Sequence, residues 1–123
     1  MCKILLSINP EHVENIFKGI KKYEFRKIRC RSKVDKMIFY STAPVMKIVG
    51  EAEIINIMEG MPSFIWEQTA EFAGINKALF DRYYEGKQKA VAYHLGRVKQ
   101  YTKPLNLSDF GINFVPQSFV YLD

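Results

Sequence analysis

The sequence predicts an α+β fold: a mixed, mostly antiparallel β-barrel of about five to six strands, closed or partly closed, with helices over its ends. Three observations predict it. Nine Phe and seven Tyr stand among 123 residues, and aromatic side chains favour strands and bury large areas. Most strand candidates alternate apolar and polar residues, which suits a sheet with one wet face. Turn and helix-boundary residues divide the chain into the order β-α-β-β-β-α-α-β-β, with one helix after the first strand and two after the long fourth strand.

Lys3 to Ile8 is an apolar run that reads as a buried strand. Asn9-Pro10-Glu11 then opens a helix, with a capping Asn, a Pro at the first helical position and an acid in the first turn. Val13, Ile16 and Phe17 form its apolar stripe, and Gly19 ends it. Lys22 to Ile28 and Lys36 to Ser41 read as the next two strands, and Thr42-Ala43-Pro44 turns the chain. Val45 to Met58 is long and β-rich, with Gly50 marking a bend or bulge. Pro62 to Ala73 reads as a helix with Phe64, Ile65, Trp66, Thr69 and Phe72 on its apolar side, stopped by Gly74. Asn76 caps a second helix in which Leu79, Phe80 and Tyr83 share a face, and Gly86 stops that one. Gln88 to Tyr101 returns to strand, Pro104 to Asn113 is a loop of turn formers, and Val115 to Leu122 is the last strand.

With 48% apolar residues the chain builds a core without staples, and its length fits a single domain spanning residues 1–123. Cys2 and Cys30, without a CxxC spacing, read as two reduced thiols. His12 and His94 lie far apart and lack a cysteine cluster, so neither a metal nor a cofactor is expected. The apolar run at the N-terminus is too short for a signal peptide, and no stretch approaches the length of a membrane helix. The expected location is the cytoplasm, with no membrane partner.

A net charge of +5 favours anionic partners, and the charge is unevenly spread. Lys18, Lys21, Lys22, Arg26, Lys27, Arg29, Arg31, Lys33 and Lys36 are half of the 18 basic residues, opposed over that stretch only by Glu24 and Asp35. Such a cluster draws phosphates, or it protects a strand edge as a solvated face. Inside it, period-two alternation puts Tyr23 and Phe25 toward the core and Glu24 and Arg26 on the opposite face. Lys21 stands in the turn just before. A carboxylate beside two cations is an acceptor for a base's amino group, and the cations meet phosphate or carbonyl oxygen. A buried Glu24–Arg26 pair without a ligand is the structural alternative.

Gly19-Ile20-Lys21-Lys22-Tyr23-Glu24-Phe25-Arg26 reads GxKxxExR and resembles the signature of the ASCH domains of the PUA-like superfamily. Ser7-Ile8-Asn9-Pro10 resembles the SIxP that opens their first helix. Ile38-Phe39-Tyr40-Ser41 with Pro44-Val45, and Pro116-Gln117-Ser118-Phe119, resemble their next strand and their closing strand. The resemblance implies a PUA-like mixed barrel and a cleft beside the first helix, lined by Lys21, Glu24 and Arg26, with Ser7, Tyr40, Ser41, Gln117 and Ser118 as neighbours. It implies RNA, nucleotide or nucleoside as partner.

Some ASCH-like proteins are amidohydrolases acting on N4-acetylcytidine through the motif lysine, a threonine nucleophile and a distant glutamate. Here Glu24 stands at the position of that threonine, and a carboxylate is not an activated hydroxyl. The sequence does not place the distant acid; Glu67 or Glu71, from the helix after the long strand, are guesses at it. A ribonuclease is also reported in the family, and Lys21 with Glu24 is the catalytic pair if this chain is an enzyme, although no histidine lies near the motif to help. A third class, a protein-interaction or coregulator module, places a protein partner on the aromatic-rich segment Phe64 to Tyr84 around Trp66.

Overall fold

The computed structural model describes residues 2–31 and 33–122, with the backbone alone at Cys2. The elements are β1 (Cys2–Ile8), α1 (Pro10–Phe17), β2 (Tyr23–Arg26), β3 (Val34–Ser41), β4 (Lys47–Gly60), α2 (Pro62–Thr69), α3 (Lys77–Tyr83), β5 (Ala90–Leu105) and β6 (Phe119–Leu122). Two short 3-10 turns, Ala70–Phe72 and Leu107–Phe110, follow α2 and β5. Asn9 caps α1 by accepting from the Glu11 N–H at 2.9 Å, with Pro10 at the first helical position. Gly19 ends that turn at φ +80°, a conformation that costs a residue without Cβ nothing.

One six-stranded mixed sheet runs in the order β2-β5-β4-β3-β1-β6. β1 and β3 pair in parallel and all other neighbours antiparallel. The parallel pair sits inside the sheet with both faces covered, which explains why β1 and β3 are apolar runs. Ile4, Leu6, Met37, Phe39 and Tyr93 pack with Val13 and Ile16 of α1 on one side. Leu5, Ile38, Tyr40 and Ile48 pack on the other under Ile112. A separate cluster of Phe25, Ile65, Phe80, Tyr84 and Ala92 seats α2 and α3 on β2 and β5. Cys30 carries a buried free thiol, whose pKa burial pushes up; the side chain of Cys2 lies outside the described residues.

Three features differ from expectation. The sheet does not close: β2 and β6 stand at its two ends and form no ladder with each other. β2 is only four residues long and, among the described residues, ladders only with β5. The gap between β2 and β1 is instead crossed by a side chain, Arg26 Nη2 donating to the Ser7 carbonyl at 2.8 Å. Second, β5 continues through Pro104 to Leu105, because β4 still offers Ile48 as a partner there, and a 3-10 turn follows in place of an irregular loop. Third, only Ile65 and Thr69 of the predicted apolar side of α2 are buried, while Phe64 and Phe72 are exposed. The bend predicted at Gly50 is present as a register shift against both β3 and β5.

Candidate functional site: a cleft at the open edge of the sheet

Lys21 enters the site through the turn after α1. Its backbone N–H donates to Asn15 O at 3.0 Å, and the next N–H, of Lys22, donates to Phe72 O at 2.8 Å. The chain is thus fixed on both sides of the lysine. The Lys21 side chain is only 3% exposed, and its Nζ donates to Ala73 O at 2.9 Å. Gly74 provides the space for it. A Cβ there would stand 2.4 Å from Lys21 Cβ, and φ of +71° independently favours glycine. Burial pulls the lysine pKa below its ordinary 10.5, Glu24 opposes that shift and Arg26 adds to it.

Glu24 and Arg26 sit two residues apart on β2 and pair at 3.0 Å through Glu24 Oε2, which also accepts from Arg26 Nε at 3.1 Å. Their side chains are 8% and 17% exposed, so the pair is largely withdrawn from water. Arg26 is held from three directions: by Glu24, by the Ser7 carbonyl, and by Tyr84, whose hydroxyl donates to the Arg26 carbonyl at 2.8 Å. The guanidinium is therefore preorganised before any ligand arrives.

These three charged residues open onto one cavity of about 230 Å³, whose lining includes Ser7, Ile8, Asn9, His12, Phe25, Ile75, Leu79 and Tyr83. Leu79 and Tyr83, expected with Phe80 on a core face, are 38% and 37% exposed, because α3 turns Phe80 inward and leaves its flank to the cleft. Lys27 Nζ stands 4.6 Å from the Tyr83 ring centre, which carries positive charge to the cleft mouth. His12, on the first turn of α1, corrects the expectation that the motif has no histidine near it. Its pKa is lowered from the ordinary 6.5 by burial and by Lys21, against the opposing pull of Glu24 and Glu11, with Arg26 adding a smaller lowering. Its Nδ1 is buried and, among the described residues, has no hydrogen-bond partner.

Of the residues expected around the cleft, Ser7, Lys21, Glu24 and Arg26 line it together. Tyr40 and Ser41 are buried on β3, where Tyr40 is the register partner of Ser7 and Ser41 that of Ile8. Neither lines the cavity; Tyr40 belongs to the core cluster on the other face of β1 and β3. Gln117 and Ser118 are exposed just after Pro116, whose carbonyl accepts the Ser7 hydroxyl at 2.7 Å. Ser7 is thus the joint between the cleft and this neighbouring rim. Glu67 and Glu71 are exposed and away from the cavity; Glu67 lines a different groove with Trp66. Sequence reading missed His12, Gly74 and Tyr84. Gly74 was read only as a helix stop, and nothing in the sequence links its missing Cβ to a lysine 53 positions earlier. Among the described residues no group of three or more His, Cys, Asp or Glu gathers as a metal site, and no helix is long and apolar enough to cross a membrane.

An open six-stranded mixed sheet with helices flanking a cleft at its edge defines a PUA-like α+β protein. Residues 3–121 match the family described as a domain of unknown function, DUF365. The ASCH domain-containing ribonuclease of Zymomonas mobilis is 31% identical over 123 aligned positions, covering 96% of this chain and 82% of that protein. The crystal structure of ASCH from Zymomonas mobilis superposes with a TM-score of 0.89 at 26% identity, covering 98% of this chain and 87% of that one. The chain belongs to the ASCH domain family. It is also 32% identical over 120 residues to large ribosomal subunit protein uL22 of Ureaplasma parvum, covering 97% of this chain but only 39% of that longer protein.

Proposed function

We propose that this protein binds single-stranded RNA or its nucleotides, with one base in the cleft and phosphates along the basic segment that follows β2. The observation that carries this reading is the convergence of Lys21, Glu24 and Arg26 on one cavity with apolar walls from Phe25, Ile75 and Leu79. At about 230 Å³ the cavity is below the roughly 300–1,000 Å³ of drug-sized sites, which suits a single flat base and no duplex. Lys22, Lys27, Arg29, Arg31 and Lys33 stand exposed near its mouth or along the chain leaving it. The name of the Zymomonas relative supports an RNA-directed role. The cytoplasm is the compartment this reading implies.

The test is fluorescence anisotropy of labelled single-stranded RNA against the wild type and Arg26→Lys, at low and moderate salt. Arg26→Lys keeps the charge and removes the fork that bridges Glu24 and Ser7. The expected result is salt-dependent binding that weakens about tenfold in the variant. No affinity at low salt, or affinity indifferent to the substitution, defeats the reading.

A second reading, hydrolysis of RNA or of a modified nucleoside, is favoured by one observation. Lys21 is a buried ammonium whose pKa that burial lowers, and it lines the same cavity as the Glu24 carboxylate, so a proton donor and a proton acceptor face one ligand space. It predicts turnover of RNA or acetylcytidine that disappears in Lys21→Met and in Glu24→Gln while both variants remain folded. Intact substrates after long incubation with the wild type count decisively against it.

A further inference from the structure

A second cavity, of about 380 Å³, lies between the end of α1 and the β4–β5 pair. Ile16 and Phe17 of α1, Ile55 of β4, and Leu95, Gly96 and Val98 of β5 wall it. Lys21 lines both this groove and the cleft, so the two openings stand on one turn of chain. Two glycines give the groove its shape. A Cβ at Gly96 would stand 2.7 Å from Ile55 Cγ1, and one at Gly50 would stand 2.7 Å from Phe17 Cζ. Both apolar side chains occupy space that a side chain on the neighbouring strand would take. Ile55 is nonetheless 63% exposed, and Val98 and the nearby Ile20 are exposed as well. A group of aliphatic side chains left in water marks an interaction surface.

The charge around the groove is one-sided. Its lining holds Lys21, Lys22 and His94 and, among the described residues, no Asp or Glu. The Lys21 ammonium is turned to Ala73 O, whereas Lys22 is exposed, with Nζ 4.3 Å from the Phe72 ring centre. Lys18 and Arg97 are exposed and next in sequence to the lining residues Phe17 and Gly96. Arg97 meets Glu53 at 3.8 Å with both side chains more than half in water, a pair that holds it weakly. Aliphatic walls beside cations fit a protein segment better than a nucleic acid. Bases stack on aromatic rings, and the two rings here are already engaged, Phe17 against Phe39 and His94 stacked on Tyr23 at 4.7 Å. Ile55 and Val98 gain instead from being covered by other aliphatic groups.

We propose that this groove is a docking site for an acidic, aliphatic segment of a partner protein. Leucine-like side chains seat against Ile55, Val98 and Phe17, and carboxylates on either side of them meet Lys18, Lys22 and Arg97. The site is independent of what enters the cleft.

The experiment titrates a labelled peptide of leucines and glutamates into the wild type, Ile55→Ser and Arg97→Glu, with anisotropy for affinity and NMR for the place of binding. Two control peptides carry lysine for every glutamate, or serine for every leucine. Both substitutions fall on exposed side chains, so the fold and the affinity for RNA are expected to stay as in the wild type. The expected result is that the leucine–glutamate peptide binds and moves the signals of Ile55, Gly96 and Val98, and that Ile55→Ser weakens it about tenfold. Arg97→Glu weakens the glutamate peptide and strengthens the lysine one, and the serine peptide does not bind. Absence of binding by the leucine–glutamate peptide, equal affinity for the glutamate and lysine peptides, or indifference to Ile55→Ser overturns the proposal. Groove signals that respond to single-stranded RNA and not to the peptide overturn it in favour of nucleic acid. Self-association of the wild type that Ile55→Ser abolishes overturns it in favour of a second copy of this chain.

Discussion

Arg26 ties the end strand β2 to β1, the strand next to the other end of the unclosed sheet, through one guanidinium, and Glu24 depends on it for charge compensation. Arg26→Ala leaves a carboxylate that is 8% exposed without its partner, so urea unfolding is expected to show a loss of roughly 2–3 kcal/mol. A loss near zero means that water already solvates Glu24. His12 has a different signature. Its folded pKa lies below the ordinary 6.5, so the unfolded chain takes the proton first as pH falls. Stability is then lost from about pH 6.5 downward until the folded ring also protonates, and no such penalty exists above that pH. Denaturant melts on either side of the ordinary imidazole value measure the slope. His12→Gln, which cannot titrate, is expected to remove its share of that slope. Glu24 and Arg26 were legible in the sequence as sharing a face because period-two alternation in a short strand fixes it, and Lys21, in the turn before that strand, was legible through the motif resemblance. His12 was not, since only the tertiary fold brings the first turn of α1 to the cavity that the motif residues line.

At the scale of elements, the order of strands and helices was readable because each boundary carries local chemistry: Asn9-Pro10 at α1, Pro62 at α2, Asn76 at α3, and glycines at positive φ after them. Strand ends were less readable, because a strand stops where its partner stops. β2 ends at Arg26 since β5 offers Val91 as its last pairing residue there, and the basic chain beyond is held by tyrosines from distant strands. Tyr93 accepts from Cys30 N–H at 2.9 Å and donates to Ile28 O at 3.1 Å. Tyr121 accepts from Arg31 N–H at 2.9 Å. Tyr93→Phe orphans two backbone groups of this segment, and thermal or urea melts are expected to register roughly 1–3 kcal/mol of destabilisation. Gly74→Ala tests the segment after α2 in the same way. The added Cβ meets the Lys21 stem and forces a positive φ on alanine, at a cost of roughly 1–3 kcal/mol. RNA affinity is expected to fall with it, because Lys21 must move; unchanged affinity in a destabilised Gly74→Ala separates Lys21 from ligand binding.

At the scale of the whole molecule, the barrel expected from the sequence is an open sheet, and its opening is where the charged residues gather. Period-two patterning reports which residues face inward, but not whether the first and last strands meet. That depends on which strands pair and on what fills the seam. Here the seam holds a salt-bridged pair, a buried lysine and a histidine, groups whose desolvation suits a ligand-sized cleft better than a continuous ladder. Leu79 and Tyr83 illustrate the limit of pattern reading: their helical spacing with Phe80 is that of a core face, yet the seam leaves them at the cleft wall.

The central claim is that RNA enters this seam. NMR shift mapping of the wild type during titration with single-stranded RNA tests it most directly. The account predicts that the largest changes fall on Ser7, His12, Lys21, Glu24, Arg26 and Tyr83, with smaller ones along the basic segment. Changes confined to the exposed basic residues beyond β2, or to the groove around Trp66, with the cleft residues unmoved, would contradict it.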